Sequence, residues 1–151
     1  MHSIDTSSFL DAWTRHYPQD TFSTFWEHMD RSGHSGILKV SEEVVEELKK
    51  KDDGAAIWVR KRPHMIVPTD IPIQEKVLGI LKVFPRLVNA GKSRSGGDPF
   101  VIAVALVNKY TVITGEGPGK PSKPHIPDVC SAMGVRCIGL VDFIRDQKWR
   151  L

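Results

Sequence analysis

Acidic residues at the ends of predicted elements are the side chains in this sequence that could do chemistry together. Asp5 follows a short apolar segment, Asp98 precedes a long one, and Glu116 comes just after a β-branched one. In sheets of parallel strands, ligands bind beyond the carboxyl ends of the strands, so these acids are expected at one edge. Glu47 lies closer to the apolar stripe of its own helix than the neighbouring glutamates do, so it could join them from a bordering helix.

Four carboxylates in one place point to a cation, because like charges at close range repel one another. A set of oxygen ligands without histidine or cysteine favours Mg²⁺ or Mn²⁺. Two such ions activate a water molecule and stabilise the leaving oxygen when a phosphodiester bond is cleaved. The acids therefore predict a metal-dependent nuclease site formed by Asp5, Glu47, Asp98 and Glu116.

Each acid also has a purely structural explanation. Asp98 alone is explained as the N-cap of a helix that begins with Pro99, and Asp5 alone as the cap of the first helix. Glu47 alone would be a solvated acid on a glutamate-rich helix, and Glu116, between two glycines, a loop residue. The metal hypothesis thus depends on the joint placement of all four.

The elements that must position these acids alternate along the chain. The segment from Asp98 to Val107 is apolar on all sides, which predicts a buried helix, and the β-branched residues after it predict a strand over 109–114. Further strands are expected to end at Asp5 and to cover 37–40, 65–67 and 135–140. Helices are expected near 9–16, 19–30, 41–51, 54–62, 72–88 with an interruption at Pro85, 126–133 and 141–149.

This alternation predicts an α/β fold in which helices cover both faces of a mostly parallel sheet, in a single domain over residues 1–151. Thr6-Ser7-Ser8 is expected to supply capping side chains for a first helix beginning near Phe9. The glycine- and proline-rich segment 115–124 is expected to be a surface loop.

Bulk properties exclude several classes of protein. The net charge of +3 permits a nucleic-acid partner without requiring one. No apolar run reaches membrane-spanning length and residues 1–10 do not resemble a signal peptide, so a cytoplasmic location and no membrane partner are expected. Two cysteines are too few for a disulfide framework, and the six histidines lack zinc-site spacing. No phosphate-binding or dinucleotide-binding motif supports a nucleotide cofactor.

Four sequence pieces together resemble the PIN domain family of metal-dependent ribonucleases. They occur in the family's order, at roughly its spacing, across essentially the whole chain. The pieces are Ile4-Asp5-Thr6-Ser7, the segment from Ser41 to Leu48, Asp98-Pro99-Phe100-Val101-Ile102-Ala103, and Val112-Ile113-Thr114-Gly115-Glu116. The resemblance implies a three-layer α/β/α PIN-like fold. It also implies an enzyme that cleaves RNA with Mg²⁺ or Mn²⁺.

Carried over position by position, the resemblance implies that Asp5, Glu47 and Asp98 hold the metal and that Glu116 is the fourth acid. The family usually has aspartate at that fourth position, and Asp128 is the alternative here. Thr6 and Thr114 match small polar residues that line such sites, so both are expected to contact substrate. Many small bacterial members are toxins of the VapC type that pair with an antitoxin, often as dimers, and this chain resembles them in size.

Basic residues in the loops that flank Asp98 and Glu116 are the preferred RNA contacts, namely Lys92, Arg94, Lys120 and Lys123, although a solvated surface explains them equally. Two hypotheses remain. The first is a metal-dependent endoribonuclease, the toxin of a toxin–antitoxin pair with a cognate antitoxin and a possible homodimer. The alternative is a catalytically degenerate PIN-like module that binds RNA or protein, because the fourth acid and the loop after it depart from the family pattern.

Overall fold

Five short parallel strands form the sheet of the computed structural model, which describes residues 1–88 and 98–151. The strands are β1 His2–Ile4, β2 Leu38–Ser41, β3 Ile66–Val67, β4 Thr111–Ile113 and β5 Cys137–Ile138. Their order across the sheet is β3-β2-β1-β4-β5, and each neighbouring pair is parallel. The sheet is therefore wholly parallel within the described residues, where the sequence predicted a mostly parallel one.

Helices flank this sheet in a three-layer α/β/α arrangement, so that the connections between parallel strands cover its faces. They are α1 Thr6–Asp11, α2 Ser23–His34, α3 Glu42–Lys51, α4 Asp53–Arg60, α5 Ile71–Val83, α6 Asp98–Asn108, α7 Ile126–Met133 and α8 Leu140–Asp146. Short 3-10 turns over Pro63–Met65 and Pro85–Leu87 accompany α4 and α5. The helix break predicted at Pro85 is confirmed, because α5 ends at Val83 and a separate turn begins at the proline.

The first strand lies at the centre of the sheet. His2 is in register with Leu38 of β2 on one side and with Thr111 of β4 on the other. Because β1 and β4 are more than a hundred positions apart in the sequence, their pairing places residues 2–4 beside residues 111–113. The carboxyl ends of these strands point to one edge, and Asp5 follows β1 there.

Helix α6 is buried, as its composition predicts. Pro99 and the five residues Val101–Ala105 are all buried, and the helix packs against β1, β2 and α5. The Ser3 hydroxyl donates a hydrogen bond of 3.1 Å to the Val101 carbonyl, which fixes the helix along the central strand. The first turn of α6 consequently lies toward the carboxyl edge of the sheet.

The first two helices differ from the sequence prediction. Helix α1 begins at Thr6 rather than near Phe9, because Asp5 caps it and the residues expected to supply the cap are already helical. A π-helical turn, Ala12–His16, then ends the segment, and the Tyr17 amide donates to the Ala12 carbonyl at 2.9 Å. Helix α2 begins only at Ser23, and its last turn extends past the predicted end at Asp30 to His34.

The last elements are also shorter than predicted. Strand β5 covers only Cys137–Ile138 of the expected 135–140, and α8 covers Leu140–Asp146 of the expected 141–149. The segment 115–124 contains no helix or strand, apart from an isolated bridge between Lys120 and Lys123, as its glycine and proline content predicts. Within residues 1–88 and 98–151, no helix has the length and apolar character that crossing a membrane requires.

Candidate active site

Asp5 is an almost fully buried acid of the predicted cluster. Its side chain is 1% exposed, and it follows β1 directly as the N-cap of α1. Oδ1 accepts the Ser8 amide at 2.7 Å, while Oδ2 accepts the Ser7 hydroxyl at 3.0 Å and the Thr114 hydroxyl at 2.6 Å. The capping role is confirmed, and the two hydroxyls on Oδ2 fix the carboxylate beyond what a helix cap requires.

Thr114 joins this acid to Glu116. While its hydroxyl donates to Asp5, the same oxygen accepts the Glu116 amide at 3.1 Å. The Glu116 carboxylate then turns toward α7, where Oε2 accepts the Ile126 amide at 3.0 Å. One threonine therefore connects the carboxyl ends of β1 and β4, and the first turn after β4 is held against Asp5.

Asp98 lies at the same edge of the sheet. It is 3% exposed and begins α6, one turn before Val101, whose carbonyl is hydrogen bonded to Ser3. Three helical residues rise about 4.5 Å, and the two strand residues from Ser3 to Asp5 advance about 6.6 Å. Because α6 leads directly into β4, which is parallel to β1, the helix runs antiparallel to β1. Asp98, before Val101, and Asp5, after Ser3, therefore lie beyond the Ser3–Val101 contact in the same direction.

Helix α3 carries the glutamates. It begins at the carboxyl end of β2, where Ser41 caps it as predicted, and it packs against α1 and α6. Glu47 is half-buried, as expected from its position beside the apolar stripe, but Glu42 and Glu43 are half-buried too. Burial and then the nearby charges of Glu42, Glu46 and Glu47 raise the pKa of Glu43. Glu43 is therefore an acid of this edge that the helical-wheel argument missed.

The two candidates for the fourth acid have different positions. Asp128 Oδ2 accepts the Gly119 amide at 2.7 Å and the His125 amide at 2.8 Å, which ties the loop to the start of α7. Glu116 is linked to Asp5 through Thr114, and the charges of Asp5 and Glu116 both act on the thiol of Cys137 in β5. Electrostatics and hydrogen bonding thus place Glu116 with Asp5.

Burial dominates the electrostatics of Asp5. Loss of hydration raises the pKa of its carboxyl group above the ordinary value of 3.8, against the hydrogen bonds from Thr114, Ser8 and Ser7, which lower it. A carboxylate that is costly to ionise is stabilised by a nearby cation. Beside it, the buried Thr6 hydroxyl has no hydrogen-bond partner among the described residues.

These observations bear on whether a divalent cation fits. Two almost fully buried carboxylates and an unsatisfied hydroxyl at one edge are the oxygen donors that Mg²⁺ and Mn²⁺ prefer. Across residues 1–88 and 98–151, however, no three His, Cys, Asp or Glu side chains are gathered closely enough to hold a metal ion. The oxygen donors present therefore fit Mg²⁺ or Mn²⁺. The complete set of residues that would hold the cation stays a prediction.

The predicted RNA contacts lie in different environments. Thr6 and Thr114 are buried against Asp5, whereas Lys120 and Lys123 are exposed and face each other across a tight turn of the loop after Glu116. Lys92 and Arg94 lie outside the described residues. Ser7 and Ser8, which were expected to cap a helix, donate instead to Asp5, which is the cap. Cys137 is also close to Asp5, and no sequence pattern singles it out.

Two solved structures share the architecture. One is VapBC2 from Rickettsia felis bound to a DNA fragment from its promoter, with 12% identity, TM-score 0.52, and coverage of 82% of this chain and 96% of that one. The other is FitAcB from Neisseria gonorrhoeae, with 16% identity, TM-score 0.51, and coverage of 91% and 96%. The predicted three-layer PIN-like fold is thereby confirmed.

At the level of sequence, the chain belongs to the family described as "Domain of unknown function (DUF4411)", whose model matches residues 2–151. No curated protein matches it. Because the sequence identities to the two solved structures are low, these similarities establish the fold alone.

Proposed function

We propose that this protein is a metal-dependent endoribonuclease and the toxin of a toxin–antitoxin pair. The observation that supports this most is Asp5, a buried carboxylate at the carboxyl end of the central strand, held by three hydrogen bonds. Asp98, Glu116 and Glu47 lie on elements that reach the same edge. The antitoxin partner is proposed because both structural neighbours are complexes of the VapBC and FitAB kind by name.

In this proposal Asp5, Glu47, Asp98 and Glu116 hold Mg²⁺ or Mn²⁺. The cation would supply an activated water and charge stabilisation for the cleaved phosphodiester. The chain's own contribution is orientation, because the Thr114 and Ser7 hydroxyls and the Ser8 amide hold the Asp5 carboxylate in one rotamer. Ionised Asp5 is costly in this buried position, so its affinity for a cation is expected to be high.

RNA binding is proposed on the same side. Lys120 and Lys123 present two positive charges in the loop after Glu116, within a few residues of the acids. Such lysines bind phosphate and position the backbone without reading sequence. Lys92 and Arg94, in the segment before Asp98, are proposed as further phosphate contacts, with Thr6 and Thr114 lining the site. A cytoplasmic location and a homodimer complete the proposal.

The test is cleavage of a mixed RNA pool in Mn²⁺, Mg²⁺ or EDTA by the wild type, Asp5→Asn and Asp98→Asn. Asp52→Asn is the matched control, because Asp52 also caps a helix by accepting an amide, at the start of α4. We expect cation-dependent cleavage by the wild type and by the control, and loss of at least about a hundredfold in the two site variants. Normal cleavage by either site variant contradicts the assignment.

One observation favours a second function. Among the described residues, no three His, Cys, Asp or Glu side chains lie close enough together to hold a metal ion. It would make the protein a degenerate PIN-like module that binds RNA or protein without cutting. Calorimetry with Mn²⁺ separates the two. Tight Mn²⁺ binding that Asp5→Asn abolishes supports the nuclease. If the folded protein cuts no RNA and its RNA binding is unchanged by EDTA, the binding module is supported.

A further inference from the structure

A cavity of about 420 Å³ opens beside Asp5, between the end of α1 and the start of α8. Two contacts place it there. Ser8, in its wall, donates its amide to Asp5, and Gly115, also in its wall, directly follows Thr114, the other partner of Asp5. The cavity volume falls within the roughly 300–1,000 Å³ typical of small-molecule sites. It is thus a ligand-sized space that adjoins the proposed site of cleavage.

The wall is shaped by a fixed aromatic ring. Tyr17 lines the cavity and stacks on Phe25 with ring centroids 4.2 Å apart and an interplanar angle of 9°. The π-helical turn before it holds its backbone through the Tyr17 amide, and π-helical turns occur frequently at functional sites. Leu140 and Val141 add apolar surface on the opposite side. A rigid, partly apolar wall of this kind suits a flat ring.

The charges of the cavity select against phosphate. Asp11 and Asp142 both line it, together with His16, and among residues 1–88 and 98–151 the ion-pair partner of each aspartate is an exposed arginine of its own helical segment, Arg15 at 3.8 Å and Arg145 at 3.3 Å. Exposed pairs of this kind contribute little, so the carboxylates remain available as acceptors. Carboxylates accept hydrogen bonds from the exocyclic amino groups of nucleobases. Adenine, cytosine and guanine carry such a group, whereas uracil does not.

We propose that this cavity receives an amino-bearing nucleobase of RNA beside the proposed site of cleavage at Asp5. The inference rests on the proposed ribonuclease function and adds a base preference to it. Asp11 and Asp142 accept the amino group, and the Tyr17 side of the cavity contacts the ring. The exposed lysines of the loop after Glu116 bind the backbone outside the cavity, because neither Lys120 nor Lys123 lines it.

Two glycines keep the cavity open. A Cβ at Gly139 would meet no atom within 4 Å, and one at Gly115 would meet only Ser8 Oγ at 3.7 Å and Asp11 Oδ2 at 4.0 Å. Gly139 has φ −82°, which any residue adopts. Gly139→Leu therefore narrows the cavity without straining the backbone. Gly79→Leu is its matched control, because Gly79 lies on α5 with nothing within 4 Å of its Cβ position.

The experiment measures binding of short fluorescent homopolymers of adenosine, cytidine and uridine to the full chain in EDTA, by anisotropy. We expect adenosine or cytidine polymers to bind about tenfold more tightly than uridine, the scale of a single base contact. Gly139→Leu should remove this preference and Gly79→Leu should keep it. Asp142→Asn should recover affinity for uridine, because an amide donates to a carbonyl.

Equal affinity for the three polymers, or an unchanged preference in Gly139→Leu with native circular dichroism, overturns the proposal. Because binding is measured without a divalent cation, its result is independent of cleavage. A wild type that prefers amino-bearing bases but cuts no RNA with Mn²⁺ contradicts the ribonuclease and keeps the cavity assignment. A wild type that cuts RNA without base preference contradicts the cavity assignment alone.

Discussion

The Thr114 hydroxyl donates a 2.6 Å hydrogen bond to Asp5 Oδ2 across 109 positions of sequence. The same oxygen accepts the amide of Glu116. A single side chain thereby fixes two of the predicted metal ligands relative to each other, on adjacent strands of the sheet. In metal sites, partners of this type orient the ligands, and their loss typically lowers affinity or activity about 10–100-fold.

We therefore predict that Thr114→Val lowers Mn²⁺ affinity and RNA cleavage by about 10–100-fold. Valine keeps the shape of the side chain but has no hydroxyl for Asp5. Thr114→Ser retains the donor and should stay within a few-fold of the wild type. Calorimetry and initial cleavage rates check both variants. If the Thr114→Val and Thr114→Ser variants have the same Mn²⁺ affinity and cleavage rate, the Thr114 hydroxyl does not position Asp5.

Asp5→Asn is expected to raise the free energy of unfolding at neutral pH without added metal, by about 1 kcal/mol, the usual scale of stabilising changes at functional sites. Burial raises the pKa of Asp5, so the folded state holds its proton more tightly than the unfolded state does. Asparagine keeps the cap on the Ser8 amide, because it caps as well as aspartate.

The sign of the pH effect follows from the same shift. Above the ordinary value of 3.8 the unfolded chain has lost its proton from Asp5, while the folded protein still binds it. Stability therefore falls as the pH rises, until the folded-state pKa is passed. Urea unfolding across this range should show a decline in the wild type that Asp5→Asn lacks. If the wild type instead gains stability relative to Asp5→Asn as the pH rises above 3.8, the raised pKa of Asp5 is contradicted.

Gly119→Ala is expected to disrupt the loop after Glu116. The new Cβ would collide with the carbonyl oxygen of Lys123 and press on the His125 ring, and the Gly119 amide would lose its 2.7 Å bond to Asp128. Clashes with backbone cost about 1–3 kcal/mol. At Gly117 a Cβ meets nothing within 4 Å, so Gly117→Ala is the matched control. Urea midpoints of the two variants check this, and equal midpoints would contradict it.

Cys137 should react with thiol reagents at lower pH than Cys130. A hydrogen bond from Cys130 lowers the pKa of the half-buried Cys137 thiol, against burial and the charges of Asp5 and Glu116, which raise it. The pKa of the buried Cys130 thiol is raised by the same contact and by burial. Labelling followed by peptide mass analysis should find Cys137 first. Cys130→Ala should shift its labelling to higher pH, and unshifted labelling would show that the contact is not responsible.

The sequence was informative where local chemistry decides the structure. The apolar residues after Asp98 predict the buried helix α6, and Ser41 predicts the start of α3. A pattern within one element was sufficient for each of these predictions.

Packing between separate elements could not be predicted in this way. The start of α2 depends on Trp26, whose indole N–H donates to the Tyr17 carbonyl at 2.6 Å, and on the stacking of Tyr17 with Phe25. Nothing local in residues 17–25 specifies that packing. The burial of Glu43 likewise depends on how α3 lies in the fold, and a helical wheel does not contain this information.

The central position of β1 has a consequence for how the protein is made. A ribosome synthesises residues 2–4 more than a hundred residues before Thr111–Ile113, one of the two neighbours of this strand. Until β4 is synthesised, one edge of β1 lacks its hydrogen-bonding strand. Long-range strand pairing of this kind is slow, and unpaired strand edges are prone to aggregation. Asp5 acquires its Thr114 partner at the same late step. Pairing of β1 with β4 and formation of the Asp5–Thr114 contact are therefore a single event in biosynthesis.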